Sequence, residues 1–254
     1  AILTVLLFSN CNEEVIDVEN RNALTIENWY QTEKDFELAL NSCHCPLMGR
    51  GMFGLQFTYM FETFSDRVLY ETTGKDRLSF NSTDDGVDNV WQDLYFGLFR
   101  TTKLILNLKE KGVDGIKNMD ETQYNFYMSQ AKSLRSVFYF YLVVLFNKPI
   151  FYNEDNIPVD DYLKNLSNGA PEEFWNQIET DLNEAMPYLP LKSELAESEM
   201  GRVTKGAAKA MLAKALLYKH YYFYCKNGNK GSTEDMADLN KAKQLFEEIM
   251  NSNE

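Results

Sequence analysis

The chain has 254 residues, 44% of them hydrophobic, which is enough for a sizeable core in one large domain or two ordinary ones. A formal net charge of −13 argues against a nucleic-acid partner, because phosphate neutralisation needs a positive surface, and against docking on anionic lipid through a basic patch. Only 6 Pro and 13 Gly are sparse for a β-sandwich of this length and suit helices, while an acidic surface is compatible with neutral ligands such as sugars.

In chain order, Ile2 to Phe8 is an apolar run too short to span a bilayer as a helix. It fits the tail of a secretory signal's apolar region. Ser9, Asn10 and Cys11 follow. An apolar run, small residues and a cysteine form the pattern of a bacterial lipobox, although Phe8 and Asn10 stand where Leu and Gly or Ala are usual. An ordinary N-terminal strand or helix with an incidental cysteine fits this stretch equally. Asp17 to Glu27 is polar and reads as extended or looped.

Thr32 to Cys43 reads as a helix capped by Thr32, with Asp35 three residues on as in a capping box and Phe36, Ala39, Leu40 and Cys43 inward. Pro46, Gly49 and Gly51 end it. Met52 to Met60 is aromatic and apolar and allows a second helix. Asp66 to Asp88 is polar and turn-rich, with Tyr70 and Phe80 isolated within it. A loop this long inside a compact domain is usually functional or mobile.

Val87 to Lys111 is a strong helix with Trp91, Leu94, Tyr95, Leu98, Thr102, Ile105 and Leu108 on one face. Glu121 to Phe146 is another, with Tyr124, Tyr127, Met128, Ala131, Leu134, Phe138, Tyr141, Leu142 and Leu145 inward. Ile150 to Lys164 connects onward. Pro171 to Met186 starts with proline where no helical amide is lost, and Phe174, Ile178, Leu182 and Ala185 face in. Thr204 caps an alanine-rich helix running to Tyr224. On it Ala207, Ala208, Met211, Leu212, Ala215 and Leu216 form an apolar stripe, and Lys205, Lys209 and Lys214 are the solvated remainder. After a Gly/Asn loop from Lys226 to Gly231, Met236 to Ile249 is a final helix with Ala242, Leu245, Phe246 and Ile249 inward. These helices pair antiparallel, Val87–Lys111 with Glu121–Phe146 and Pro171–Met186 with Thr204–Tyr224, and the last helix awaits a partner. The expected fold is all-α, a degenerate tetratricopeptide-like solenoid with long irregular loops.

Catalytic signals are missing. The chain has no His-Glu-x-x-His, no Gly-x-Ser-x-Gly, no phosphate-binding glycine loop and no dinucleotide fingerprint. Cys43 and Cys45 flank His44, but no second Cys/His pair completes a tetrahedral zinc site, so these read as thiols on or near a helix and no metal or cofactor is expected. Carboxylate pairs such as Glu172–Glu173 and Glu247–Glu248 read as surface charge.

Five segments in order resemble the SusD/RagB family of outer-membrane nutrient-binding lipoproteins. They are the run from Gly201 to Tyr218, the helix from Gln130 to Pro149 with its Leu134–Arg135 pair, Trp91 to Tyr95, the segment Ala170 to Pro190 with Ile178, Asp181, Leu182 and Ala185 in place, and Asp238 to Asn251. The resemblance implies residues 1–11 as a truncated lipoprotein signal with Cys11 as the lipidated residue, 12–31 as a linker in which Glu13 and Glu14 resemble a surface-export signal, and 32–254 as a SusD-like helical domain truncated at its C-terminal end. It further implies a non-enzymatic, lipid-anchored outer-membrane protein. Such a protein binds oligosaccharides, or in some members peptides, and passes them to a SusC-like TonB-dependent transporter. The ligand contacts expected of this chain are in the polar loop: Tyr70 and Phe80 stacking on sugar faces, Asp66, Arg77 and Asn81 hydrogen bonding to hydroxyls. A plain solvated loop with two anchoring aromatics is the competing expectation. The competing function is a tetratricopeptide-type scaffold that binds protein and no sugar. Trp91 is expected to pack in the core rather than bind.

Overall fold

The computed structural model describes residues 29–65, 84–157, 166–225 and 236–252, without the side chains of Tyr224 and Cys225. Cys11, the Asp66–Asn81 ligand residues and the Lys226–Gly231 loop therefore lie outside the described residues. Among the described residues seven α-helices carry the fold: α1 Glu33–His44, α2 Gln56–Phe64, α3 Asp85–Lys111, α4 Glu121–Phe146, α5 Pro171–Ala185, α6 Lys205–His220 and α7 Ala237–Asn251. Among the described residues the only β pairing is two isolated bridges, one of which ties Thr32 to Lys117. None of the described helices is long and apolar enough to cross a membrane.

Local chemistry sets the helix ends. The Thr32 hydroxyl accepts from the Asp35 amide, and the Asp35 carboxylate accepts from the Thr32 amide at 2.8 Å, which is the reciprocal capping box the sequence predicts. α3 starts before the expected Val87. Asp84 caps it by accepting from the Gly86 amide at 2.9 Å, and Asp85 and Asp88 place negative charge on the positive end of the helix dipole. Acidic residues that read as loop are thus the cap and first turn of a helix. Pro171 opens α5, and the Glu173 carboxylate accepts from the Ala170 amide at 2.6 Å. The Thr204 hydroxyl accepts from the Ala207 amide at 3.2 Å at the start of α6.

The centre of the molecule is α4. From Ser129 to Phe140 it is buried all round except at half-buried Val137, because α3 and α5 both pack along it and α1 and α6 close the remaining sides. The inward residues expected for α1 and α5 are buried, and so are those of α3 except Trp91 and Tyr95, which are half-buried. α4 has no solvated face over this stretch, so Arg135, Ser133, Ser136 and Lys132 are buried together with its apolar residues. Gly97 is where α3 comes closest. A Cβ there would lie 2.1 Å from the Phe138 ring.

Two expectations need correction. α5 packs mainly on α4 rather than on α6, and α6 has its principal partner in α7, so the last helix does not lack a neighbour. Ala242 and Leu245 of α7 are buried, and Lys209 of α6 pairs with Glu248 of α7 at 3.0 Å. On α6 itself, Ala207 is exposed while Ala213 is fully buried, because the helix packs against α7, α5 and α4 and its apolar surface is broader than a single stripe. Lys205, Lys209 and Lys214 are half-buried rather than solvated.

One buried ionic cluster locks this arrangement. Arg135 is wholly buried and grips Asp181 of α5 with two parallel bonds, Nε to Oδ2 at 2.7 Å and Nη2 to Oδ1 at 2.7 Å. Its Nη1 donates to Glu154, which also accepts from Lys109 of α3. Gln177 donates to Asp181 at 3.0 Å. One guanidinium therefore joins α4 to α5 and to the segment after α4, and Glu154 carries the connection to α3. Burial would push the Glu154 carboxyl up, but the Arg135 charge and the bonds from Lys109 and Arg135 outweigh it and hold it down to about 2.

Two outcomes are expected from this cluster. Asp181→Ala leaves a guanidinium buried without its bidentate partner, so urea denaturation should show a loss of about 3–5 kcal/mol; a change under about 0.5 kcal/mol, the size typical of surface substitutions, would contradict it. Glu154 has a folded-state pKa below its unfolded value of 4.5, so its contribution is complete above that pH and lost as pH falls towards about 2. An acid titration of stability should therefore be shallower for Glu154→Gln than for the native chain.

Candidate functional site

The feature outside the core that stands out is a strip of aromatic rings running from the start of α2 across α4 to α6. Its position is set by the backbone around Gly51. The Gly51 and Met52 amides donate to the Asp93 carboxylate of α3 at 2.6 and 3.3 Å. A Cβ on Gly51 would lie 1.9 Å from the Asn89 carbonyl oxygen. Only glycine lets this turn sit directly on α3, and Met52 is buried beneath it. α2 is thereby laid against α3 with its own aromatics facing the end of α4.

Phe57 is the hub of the strip. Its ring lies 4.6 Å from Phe61, 5.3 Å from Phe53 and 5.0 Å from Tyr141 of α4. Tyr141 meets Phe140 at 5.3 Å, and Phe140 meets Tyr218 of α6 at 5.0 Å, in edge-to-face geometry suited to the ring quadrupoles. Phe53, Phe61 and Tyr218 are exposed and Phe57 and Tyr141 half-buried. Phe140, which links Tyr141 to Tyr218, is buried, so the exposed rings fall in two groups at the ends of the strip, and exposed aromatic groups of this kind mark interaction sites more often than plain surface. At one end of the strip a cleft of about 140 Å³ is lined by Phe57, Met60, Phe61 and Phe64 of α2, Val87 of α3 and Phe146 of α4. The chain leaves the described region beside this cleft at Ser65 and returns at Asp84. At the other end the Lys214 ammonium lies 5.0 Å from the Phe140 ring centroid, 5.5 Å from Tyr141 and 6.0 Å from Tyr218.

None of the expected ligand residues Asp66, Tyr70, Arg77, Phe80 and Asn81 falls among the described residues, nor does the expected lipidated Cys11. Trp91 is half-buried, 4.9 Å from Phe146 and 4.6 Å from Tyr95, and so packs against neighbouring rings rather than standing free. The rings missed by sequence reasoning are Phe53, Phe57, Tyr141 and Tyr218. Aromatic density from Met52 to Phe64 was the available signal, but the residues that complete the strip come from helices distant in sequence. Cys43, His44 and Cys45 do not converge. The Cys43 thiol is buried and donates to the Ala39 carbonyl, Cys45 is exposed, and His44 Nδ1 lies 3.1 Å from the Leu40 carbonyl. Burial pushes the Cys43 thiol up to about 12, which keeps it protonated and a poor ligand or nucleophile. Among the described residues no group of three or more His, Cys, Asp or Glu is placed to hold a metal ion. The strip offers flat apolar faces and a cation, the equipment of a binding surface rather than of bond chemistry. Gly51→Ala is expected to force the turn off α3 and destabilise the chain by about 1–3 kcal/mol, read as a lowered thermal midpoint. An unchanged midpoint would mean that the turn does not seat α2.

Residues 53–224 match the SusD-like family described as "Starch-binding associating with outer membrane". A SusD-like protein of Bacteroides ovatus is 25% identical over 251 residues, covering 97% of this chain and 42% of that protein. Among solved structures, a SusD homologue from Bacteroides thetaiotaomicron superposes with a TM-score of 0.72 at 22% identity, covering 89% of this chain and 42% of that one. A laminarin-binding SusD-like protein superposes with a TM-score of 0.65 at 23% identity, covering 87% and 44%. The chain thus spans less than half the length of the relatives it matches. With the family match extending over more than half of its residues and the helical fold shared, the chain belongs to the SusD-like family.

Proposed function

We propose that this chain is part of a surface lipoprotein that captures oligosaccharides and hands them to a SusC-like TonB-dependent transporter of the outer membrane. The observation that carries the reading is the family match over residues 53–224. The aromatic strip supports it, since flat rings pack against the C–H faces of sugars and an acidic protein has no need of charge to hold a neutral ligand. One structural neighbour is named as laminarin-binding, which favours glycan over peptide as the ligand class. In this reading residues 1–11 end a lipoprotein signal, Cys11 carries the lipid anchor, 12–31 form the linker and the SusD-like body occupies 32–254.

The segment between α2 and α3 supplies the polar half of the site. In this reading Tyr70 and Phe80 stack on sugar faces and Asp66, Arg77 and Asn81 contribute hydrogen bonds to sugar hydroxyls. The hydrogen bonds set orientation and the rings supply contact area.

Two measurements test this reading. Tyr70→Ala with Phe80→Ala should weaken oligosaccharide binding by about tenfold or more, the loss of roughly 1.4 kcal/mol or more of stacking, in isothermal titration. Unchanged affinity would remove the segment from the site. Palmitate labelling in the native host should occur on the chain and vanish in Cys11→Ala. Recovery of unlabelled chain in the cytosol would contradict the lipoprotein assignment.

A further inference from the structure

Lys214 stands apart from its neighbours on α6. Lys209 pairs with Glu248, and Lys219 with Glu179 and, at 3.5 Å, with Asp238. Among the described residues the Lys214 ammonium has three aromatic rings for partners and no carboxylate. This is notable in a chain with 38 acidic against 25 basic residues. Ring faces attract the cation through their quadrupoles but leave its N–H donors uncommitted, since an ammonium has three. The hydroxyls of Tyr141 and Tyr218, on two of those rings, also have no hydrogen-bond partner among the described residues, and Tyr218 is 44% exposed. A cation and two phenols, all with unused hydrogen-bonding capacity, thus meet on one aromatic surface that Phe57 joins to the cleft at the other end of the strip.

We propose that this platform is an anionic-sugar subsite, in which Lys214 pairs with the carboxylate or sulfate of a pyranose whose ring face rests on Tyr218. The inference rests on the glycan-binding reading and narrows it, from oligosaccharides in general to those carrying negative charge. The chemistry follows from the partners. A neutral sugar gives the ammonium only weak hydroxyl acceptors. A uronate or sulfate ester gives it a charge-assisted hydrogen bond, roughly twice as strong as a neutral one. The rings already hold the Lys214 ammonium, so less side-chain freedom remains to be lost when the anion arrives.

The test is isothermal titration of the chain with three probes of equal length: an oligogalacturonate, a sulfated neutral-backbone oligosaccharide and an uncharged oligosaccharide. At low salt one of the anionic probes should bind about tenfold more tightly than the uncharged one, the effect of one charge-assisted bond, and the stronger of the two identifies carboxylate or sulfate as the group recognised. Lys214→Met should abolish that preference, bringing the anionic probes to the affinity of the uncharged one, while Lys214→Arg retains it. Added salt should reduce the preference. Tyr218→Phe, which keeps the ring and removes the hydroxyl, provides a second variant should Lys214→Met lower the thermal midpoint, and it should weaken the anionic probe more than the uncharged one. Equal binding of charged and uncharged probes, or a preference that survives Lys214→Met, would overturn the subsite and leave the glycan reading standing. Binding of no probe at all would overturn both.

Discussion

The burial of one guanidinium governs how this chain is built. Arg135 sits on the most enclosed stretch of α4, where a cation without partners would be prohibitively costly. Asp181 meets it with both oxygens and Glu154 takes the third side. This geometry is met only if α5 lies along α4 in one register and the chain after α4 folds back across α3, where Lys109 reaches Glu154. A purely apolar contact would tolerate sliding, whereas a fork-to-fork pair does not. Tyr139, one turn along α4, continues the same seam by donating to the Tyr152 carbonyl at 2.7 Å.

A second polar clamp places α6. The Gln130 side-chain amide donates to the Val203 carbonyl at 2.7 Å and accepts from the Val203 amide at 2.8 Å, satisfying both backbone groups of one residue in the turn before the helix. Gly201 has φ of +101°, a conformation that side chains disfavour, and its turn delivers Thr204 to the capping position. With its start fixed, α6 uses Ala208, Ala213 and Ala215 to come close to its neighbours and carries Lys214 and Tyr218 to the edge of α4. The aromatic strip is therefore a consequence of the same contacts that stabilise the core. Rings from α2, α4 and α6 form one strip because α4 is held on both sides.

Much of this was readable in the residues. Periodicity located the helices, Thr32 with Asp35 and Thr204 announced their caps, and the inward faces of α1, α3 and α5 followed from apolar spacing. Three things were not readable, each for a physical reason. Asp84 and Asp85 look like loop residues, because an acidic pair is as compatible with a turn as with a helix N-terminus. The apolar stripe of α4 gave no sign that its polar residues were also enclosed, since burial of Arg135 depends on carboxylates 19 and 46 residues away. Lys214 reads as a solvated lysine until α4 and α6 are placed side by side and its neighbours prove to be rings. Of the site itself, the aromatic density of Met52 to Phe64 was visible and its continuation through Tyr141 and Tyr218 was not, because contacts between helices far apart in sequence leave no local pattern.

We propose that a helical frame locked around α4 presents the aromatic rings of α2, α4 and α6 to sugar. Aromatic NMR signals of the chain, followed while an oligosaccharide is titrated in, test it directly. Progressive shifts are expected for Phe57, Tyr141 and Tyr218 on the strip and no shift for Phe36, which is fully buried in α1. Saturable binding with shifts confined to residues away from the strip would contradict it.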